Sequence, residues 1–360
     1  MIVMFAAIAG LNAYVLYRVW HMLPPVVWLR WAALAVGVLA FVSFFASVLM
    51  GDGFPLGLTT VMYKLGTSWF FIALYMAMMF LVLDLFRVTH LLPVGKFMYG
   101  SWSGAIGMAV VTIVIFVAGN INYHNKRRVE ITIDTHGKLA RPMKIVAMSD
   151  LHLGYGIGNG ELARWVGKVN AEKPDIILIP GDVIDNSLTP LVETGTAGVL
   201  RRFNAKYGVW ASPGNHEYIS GVGESLDFLH SAGVNVLRDS VALVDSSLYV
   251  VGRDDMTNRG RKRLGDLTAG LDGDKPVIVL DHQPVELGQL IGSGVTLQLS
   301  GHTHRGQVWP ISWITDAIFE RSHGLLEKDG TYVYVSSGMG IWGGKFRIGT
   351  RSEYVVINLK

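Results

Sequence analysis

Apolar positions divide the chain in two near residue 125. Before that point four long apolar stretches, 2–17, 26–50, 68–86 and 103–121, are parted only by short polar or turn-forming breaks. A helix rises about 1.5 Å per residue, so about 20 residues cross a hydrocarbon core of about 30 Å. The pattern predicts an all-α transmembrane bundle of four helices over residues 1–125. Pro24-Pro25 marks the first break and Gly51-Asp52-Gly53-Phe54-Pro55 the second. Trp20, Trp28, Trp69 and Trp102 stand near the ends of the stretches, as in an aromatic belt. The first stretch has no basic segment ahead of it and no A-x-A-like cleavage site, so it reads as a retained helix rather than a signal peptide.

From about residue 129 the pattern changes to short apolar runs separated by turn signals. Ile131 and Ile133, with Leu139 beyond them, alternate with polar residues as in a half-buried strand. Later runs are richer in β-branched residues, and each stops at a polar or Gly-containing loop. Lys144–Met148 ends at Ser149-Asp150-Leu151-His152, and Asp175–Ile179 at Pro180-Gly181-Asp182. Tyr207–Trp210 ends at Pro213-Gly214-Asn215-His216-Glu217, and Val277–Leu280 at Asp281-His282. Val295–Leu299 ends at Ser300-Gly301-His302-Thr303-His304. Helical periodicity fills Gly160–Asn170 and Gly223–Ala232. Alternating strands and helices predict an α/β layered domain over 126–360.

Charge sharpens the division. Only Arg18, Arg30, Asp52, Lys64, Asp84, Arg87 and Lys96 are charged before residue 126, and the rest of the chain carries 26 residues of each sign. The net charge of +3 therefore belongs to the membrane part, and it is no argument for nucleic-acid binding. Asp84 reads as an interfacial carboxylate paired with Arg87 one turn on, and Arg30 as a side chain that snorkels to the interface. The absence of cysteine excludes disulfides, thiolate metal ligands and a cysteine nucleophile. Basic residues flank the two membrane faces almost equally, and the cluster Lys126-Arg127-Arg128 gives only a slight lean toward a cytoplasmic catalytic domain in a multi-pass membrane protein.

The strand-end loops carry the candidate chemistry. They offer Asp150, His152, Asp182, Asn215, His216, His282, His302 and His304, which are two carboxylates, one amide and five imidazoles. In open α/β sheets, loops beyond the carboxyl ends of strands meet in one crevice, so positions far apart in sequence can converge. Imidazole and carboxylate together suit Zn, Mn, Fe or Ni. Each motif alone is weak, since Asp-x-His or Gly-Asp after a strand is usually a turn. Their ordered occurrence is the signal. The six other histidines, His21, His90, His124, His136, His230 and His323, read as structural or solvated.

The ordered set Asp-x-His, Gly-Asp, Gly-Asn-His-Glu, a His after an apolar strand, and Gly-His-Thr-His resembles that of the calcineurin-like metallophosphoesterase superfamily. The likeness runs over about 144–360, and the Ser-Gly-His-Thr-His-x-Gly-Gln and Ser-Ser-Gly-Met-Gly segments look most like its membrane-associated bacterial branch. The resemblance implies a four-layer αββα sandwich and two divalent ions, Mn, Fe or Zn. It implies that Asp150, His152 and His304 hold one ion, that Asn215, His282 and His302 hold the other, and that Asp182 bridges them. His216 would be the catalytic histidine that is not a ligand, oriented by Asp185 or Glu217. A hydroxide generated between the ions would attack phosphorus in line. Position 305 departs from the branch, which usually has a small residue there; Arg305 is a candidate phosphate clamp or a solvated loop residue. Arg347 and Arg351 are weaker candidates of the same kind, and Trp342 and Phe346 are candidates for an apolar rim.

The expected protein is thus a membrane-anchored phosphoesterase acting on phosphoester or pyrophosphate bonds. Its expected partners are the lipid bilayer and a phosphorylated substrate of lipid-linked type, with no nucleic acid and an oligomeric state left open. The alternatives are a phosphodiesterase or phosphomonoesterase for soluble nucleotides, and a membrane scaffold that uses the fold without catalysis.

Overall fold

The computed structural model describes residues 2–139 and 141–360, with side chains described from Ala6 onward. The chain forms two compact units, one running up to Ile121 and including Gly343–Lys345, the other comprising Asn122–Trp342 and Phe346–Lys360.

Long helices Ile2–Met22, Val27–Leu49, Leu56–Val88 and Trp102–His124 account for most of the first unit. Among the described residues three of them, Val27–Leu49, Leu56–Val88 and Trp102–His124, are long and apolar enough to cross a membrane. Four were expected; the side chains of the first, Ile2–Met22, are described only from Ala6. The first helix, in place of 2–17, extends to Met22 and takes in Arg18 and His21 besides Asn12. Asn12, Tyr14 and Arg18 face polar groups of the Leu56–Val88 helix. Trp69 Nε1 donates to Asn12 Oδ1 at 2.8 Å, Tyr14 Oη donates to Asp84 at 2.8 Å, and Arg18 pairs with Asp84 at 3.1 Å. Arg87 stands farther from Asp84, at 3.7 Å, so Arg18 is the closer counter-charge. Arg30 reaches the break before its helix, donating to the Leu23 and Pro24 carbonyls at 2.7 and 3.0 Å.

Twelve strands build the second unit among the described residues: β1 Arg127–Ile133, β2 Met143–Ala147, β3 Ile176–Pro180, β4 Val209–Ser212, β5 Val234–Val236, β6 Ser240–Val244, β7 Leu248–Gly252, β8 Val277–Leu280, β9 Leu297–Ser300, β10 Gly324–Lys328, β11 Thr331–Val335 and β12 Glu353–Leu359. They form two six-stranded mixed sheets, ordered β1-β12-β2-β3-β4-β5 and β10-β11-β9-β8-β7-β6. β2 to β5 run parallel in the first, and β7, β8, β9 and β11 in the second.

Side-chain alternation explains the layering. Ile145, Ile176, Leu178, Val355 and Ile357 of the first sheet meet Val250, Ile278, Leu280, Leu297 and Leu299 of the second in one core. The alternate residues Val146, Ile177, Ile179 and Val356 turn outward onto Leu162, Trp165, Val166 and Val169 of the helix Asn159–Ala171. On the far side Val277 and Val279 pack with Leu264, Leu267, Leu287 and Leu290. The order is therefore helix, sheet, sheet, helix. Strands buried on both faces read as continuous apolar runs, which is why β3 and β8 were visible in the sequence, whereas β7 and β12 were not. Leu139, by contrast, lies beyond β1 and contributes to the core from a loop.

The Arg18–Asp84 pair makes a testable claim on stability. Arg18 is 4% exposed, so Asp84→Leu leaves a buried cation without its counter-charge. The expected cost is about 3–5 kcal/mol, read as a lower thermal midpoint of the full chain in detergent, and adding Arg18→Met recovers most of it. A double variant no more stable than Asp84→Leu contradicts the pairing.

Candidate metal centre

All eight residues singled out on the strand-end loops lie beyond the carboxyl ends of parallel strands. Asp150 and His152 follow β2, Asp182 follows β3, and Asn215 and His216 follow β4. His282 follows β8, and His302 and His304 follow β9. The loops are stitched together by main-chain hydrogen bonds. The His152 N–H donates to the Asp182 carbonyl at 3.0 Å, and the Gly301 N–H to the His282 carbonyl at 2.9 Å. Asp150, His152, Asp182, His302 and His304 all take positive φ, between 45° and 67°. That conformation costs of order 1–2 kcal/mol for a residue with a side chain, so the surrounding packing holds five strained turns at this one place.

Two glycines explain why the motifs have the composition they do. A Cβ on Gly214 would lie 2.2 Å from Asp182 Oδ1, and one on Gly301 would lie 2.3 Å from Asp150 Oδ2. Each glycine lets the neighbouring carboxylate approach the loop backbone, which then donates to it. His216 N–H binds Asp182 Oδ1 and His302 N–H binds Asp150 Oδ1, both at 2.9 Å.

The side chains converge as three overlapping groups. Asp150, His152 and His304 form one, His152, Asp182 and His216 a second, and Asp182, His282 and His302 a third; within each group the candidate ligand atoms lie within 4.8 Å of one another. Asp182 Oδ2 is 3.0 Å from His282 Nε2 and 3.7 Å from His152 Nε2, so one carboxylate faces both ends of the cluster. His152 Nε2 and His304 Nε2 stand 3.0 Å apart, 4.0 and 3.6 Å from Asp150 Oδ1. Asn215 Oδ1 is 2.8 Å from His302 Nδ1, which places the amide at the His282 end.

The donor set fits divalent cations. Asp150 Oδ2 is buried with no hydrogen-bond partner among the described residues, an arrangement that is costly for a carboxylate unless a cation meets it. The outer partners orient the rings as metal sites require. His282 Nδ1 contacts the Pro180 carbonyl at 2.9 Å and His152 Nδ1 faces Asp185 at 3.4 Å, which turns both Nε2 atoms into the cluster.

Electrostatics divide the histidines by charge rather than by role, since Asp182, against burial, raises His282 well above its usual range. Burial, reinforced by the charge on His282, pushes His302 down to about 4, and burial beside His152 holds His304 well below its usual range. Both are neutral imidazoles with a lone pair to offer. Burial opposes charge on His216, but Asp182 and Asp185 outweigh it and raise that ring to about 9. Burial likewise opposes ionisation of Asp182, yet His282 and His216 hold it well below the usual carboxylate range.

Of the two carboxylates expected to orient His216, Asp185 does so. His216 Nδ1 lies 3.0 Å from the Asp185 carbonyl and 3.3 Å from its carboxylate. Glu217 instead ties loops together, accepting from the Asp182, Gly214 and Ile184 N–H groups at 3.0, 2.7 and 2.9 Å. Burial, and then the charge of Asp182, raise its carboxyl to about 7. Arg347 is corrected outright. It is fully buried and donates to the His304 carbonyl at 2.7 Å, to the Ser337 carbonyl and to Ser352 Oγ at 3.1 Å, so it props the His304 loop and cannot clamp a ligand from solvent. Arg351 is exposed. Arg305 is half-buried with φ 48° and borders a polar pocket beside the cluster.

Gly214→Ala tests the close approach. The added methyl must displace Asp182, so stability falls by about 1–3 kcal/mol and the metal content of the purified chain drops. Normal stability together with normal metal content contradicts this packing.

Residues 143–306 match the calcineurin-like phosphoesterase family. An uncharacterised metallophosphoesterase of Campylobacter jejuni is 32% identical over 70% of this chain and 68% of its own length. Another from Aquifex aeolicus is 32% identical over 69% of this chain and 98% of its own. A protein of Danio rerio described as a transmembrane protein with metallophosphoesterase domain is 31% identical over 72% of this chain and 64% of its own length. With motif, fold and cluster in agreement, this chain belongs to the calcineurin-like metallophosphoesterases.

Proposed function

We propose that the chain is a membrane-anchored phosphoesterase with two divalent ions, in which residues 1–125 anchor and residues 126–360 carry the reaction. The observation that carries the two-ion reading is Asp182, whose one carboxylate faces His282 at 3.0 Å and His152 at 3.7 Å. Asp150, His152 and His304 would hold one ion, and Asn215, His282 and His302 the other, with Asp182 shared. Bound divalent ions would supply a nucleophile by lowering the pKa of water toward neutrality and would offset charge on the phosphoryl oxygens.

The chain's own residues do the rest. Asp150 and Asp182 bring negative charge that attracts cations, and the buried loops fix their spacing before substrate arrives. His216 is not needed as a ligand. Its side chain is 12% exposed, as is that of His304, while that of His152 is 1% exposed, so His216 and His304 stand nearer the mouth of the site. Asp185 holds its Nδ1 and favours a protonated ring; with Asp182 it raises the ring, against its burial, to about 9 before cations bind. An imidazolium in that position gives a proton to the departing alkoxide oxygen. Arg305, at the rim, would receive a substrate phosphate. The substrate we propose is a lipid-linked phosphoester or pyrophosphate, because three apolar helices place the chain at a bilayer. We propose a cytoplasmic catalytic domain on the weak basic bias at Lys126-Arg127-Arg128.

Two variants test this. His216→Ala keeps its metal and loses about 10²- to 10⁴-fold in turnover of an aryl phosphodiester with added Mn²⁺. A near-normal rate removes His216 from the reaction. Asp182→Ala loses both ions in elemental analysis of the full chain, and two ions retained per chain would refute the bridge.

A further inference from the structure

The helix Ile311–Ile318 turns large apolar residues outward, beside an exposed Asp316. A surface helix in water turns its polar face outward. Here Ser312 is buried and Asp316 accepts from Ser322 Oγ, while Trp313, Ile314 and Ile318 are 65%, 56% and 70% exposed. Trp309, just ahead of the helix, is 39% exposed and packs edge-to-face on Trp313 with ring centres 5.4 Å apart. Large apolar side chains exposed elsewhere in the second unit are scattered along its sequence; these four fall within ten positions.

The helix is also fixed to the metal centre. A Cβ on Gly306, two residues beyond His304, would lie 2.5 Å from the Ile311 backbone, so the two segments touch. The ring of Phe319, at the end of the helix, lies 6.2 Å from that of His302. Beside that end is a polar pocket of about 270 Å³ bordered by Arg305, Asp316, Phe319, Glu320, Arg321 and His323. Its acidic members are engaged, Glu320 by Lys328 at 2.7 Å and Asp316 by Ser322, and His323 pairs with Glu353 at 3.1 Å. Among the described residues neither the Arg305 nor the Arg321 side chain has a hydrogen-bond or ion-pair partner, and Arg321 Nε is buried without an acceptor. The pocket thus presents two unmatched guanidinium groups beside an apolar face.

We propose that this face docks on the lipid surface. Trp309, Trp313, Ile314 and Ile318 lie at the boundary of headgroups and acyl chains, and Arg305 and Arg321 meet lipid phosphates. Four arguments choose a bilayer as the occupant. Tryptophan is suited to that boundary, with an apolar ring and a polar N–H. An in-plane helix with one apolar face is the form that interfacial segments take. Guanidinium pairs bind phosphate through two parallel N–H groups, and anionic lipid surfaces attract them. The same chain supplies apolar helices of membrane-spanning length, and only Asn125 and Lys126 separate Trp102–His124 from β1, so a bilayer is within reach of the unit at all times. The consequence deepens the proposed activity, and rests on it: a lipid phosphoester reaches the cluster from the membrane plane. Docking itself is read without turnover, so the two claims fail separately.

The absence of cysteine makes the test direct. Ile314→Cys in the full chain, labelled with a polarity-sensitive fluorophore, is reconstituted in vesicles of phosphatidylcholine and phosphatidylglycerol. Asp274→Cys, at the opposite end of β8 from His282, is the aqueous control. The label at 314 should be quenched by lipids brominated high in the acyl chain and should be several-fold less sensitive to aqueous iodide than the label at 274. Equal iodide quenching at both sites with no bromolipid quenching overturns the proposal. Protection that appears in detergent and grows with protein concentration also overturns it, in favour of a second copy covering the face. Ile318→Cys gives an independent reading if labelling at 314 disturbs the helix.

Discussion

The carboxylate of Asp182 is buried among imidazoles, and the shape of the site depends on satisfying it. Oδ2 faces His282 and His152, and Oδ1 accepts from the His216 N–H. An anion so placed is tolerable only with compensating positive charge, whether protons on histidine or cations in their place. The main-chain N–H of Asp182 is in turn held by Glu217, which reaches across from the next loop. Removing a facing histidine leaves the carboxylate less compensated, and removing Glu217 leaves the Asp182 N–H without its acceptor.

Topology makes that convergence affordable. Parallel strands present their carboxyl ends along one edge, and two sheets packed face to face bring two such edges together. β2, β3 and β4 supply one set of loops and β8 and β9 the other. The left-handed residues are then the local device by which a short loop turns its side chain back over the edge. Glycine at 214 and 301 removes the methyl that would otherwise fill the space of a carboxylate. Function has drawn the chain into conformations that propensity alone disfavours, and the doubly buried strands supply the packing that holds them.

This division also explains what could be read from the sequence. β3 and β8 are buried on both faces and their apolar runs are unbroken, while β2 and β9 carry only Lys144 and Gln298 within theirs; the ends fall close to the loops that carry Asp150, Asp182, His282 and His302. β6 and β10 are half exposed, with weaker alternation, and gave no signal. The Leu56–Val88 helix begins twelve residues before the apolar stretch at 68, because Thr59, Thr60 and Lys64 interrupt hydropathy without breaking a helix. The order and type of site residues were legible; their distances were not. Arg347 shows the limit most clearly. A cation near Gly-rich loops suggests a ligand clamp, and only burial reveals that its donors are spent on the carbonyls of its own fold. Arg321 carried no motif at all, and its lack of a partner is a fact of packing.

The central claim is that Asp182 joins two cation sites into one. Electron paramagnetic resonance of the full chain loaded with two equivalents of Mn²⁺ tests it most directly. Two ions bridged by one carboxylate are exchange-coupled, and the account predicts a broad multiline signal that collapses to isolated six-line manganese when only one equivalent is present. Two bound ions that give only the isolated six-line spectrum at both loadings would contradict it.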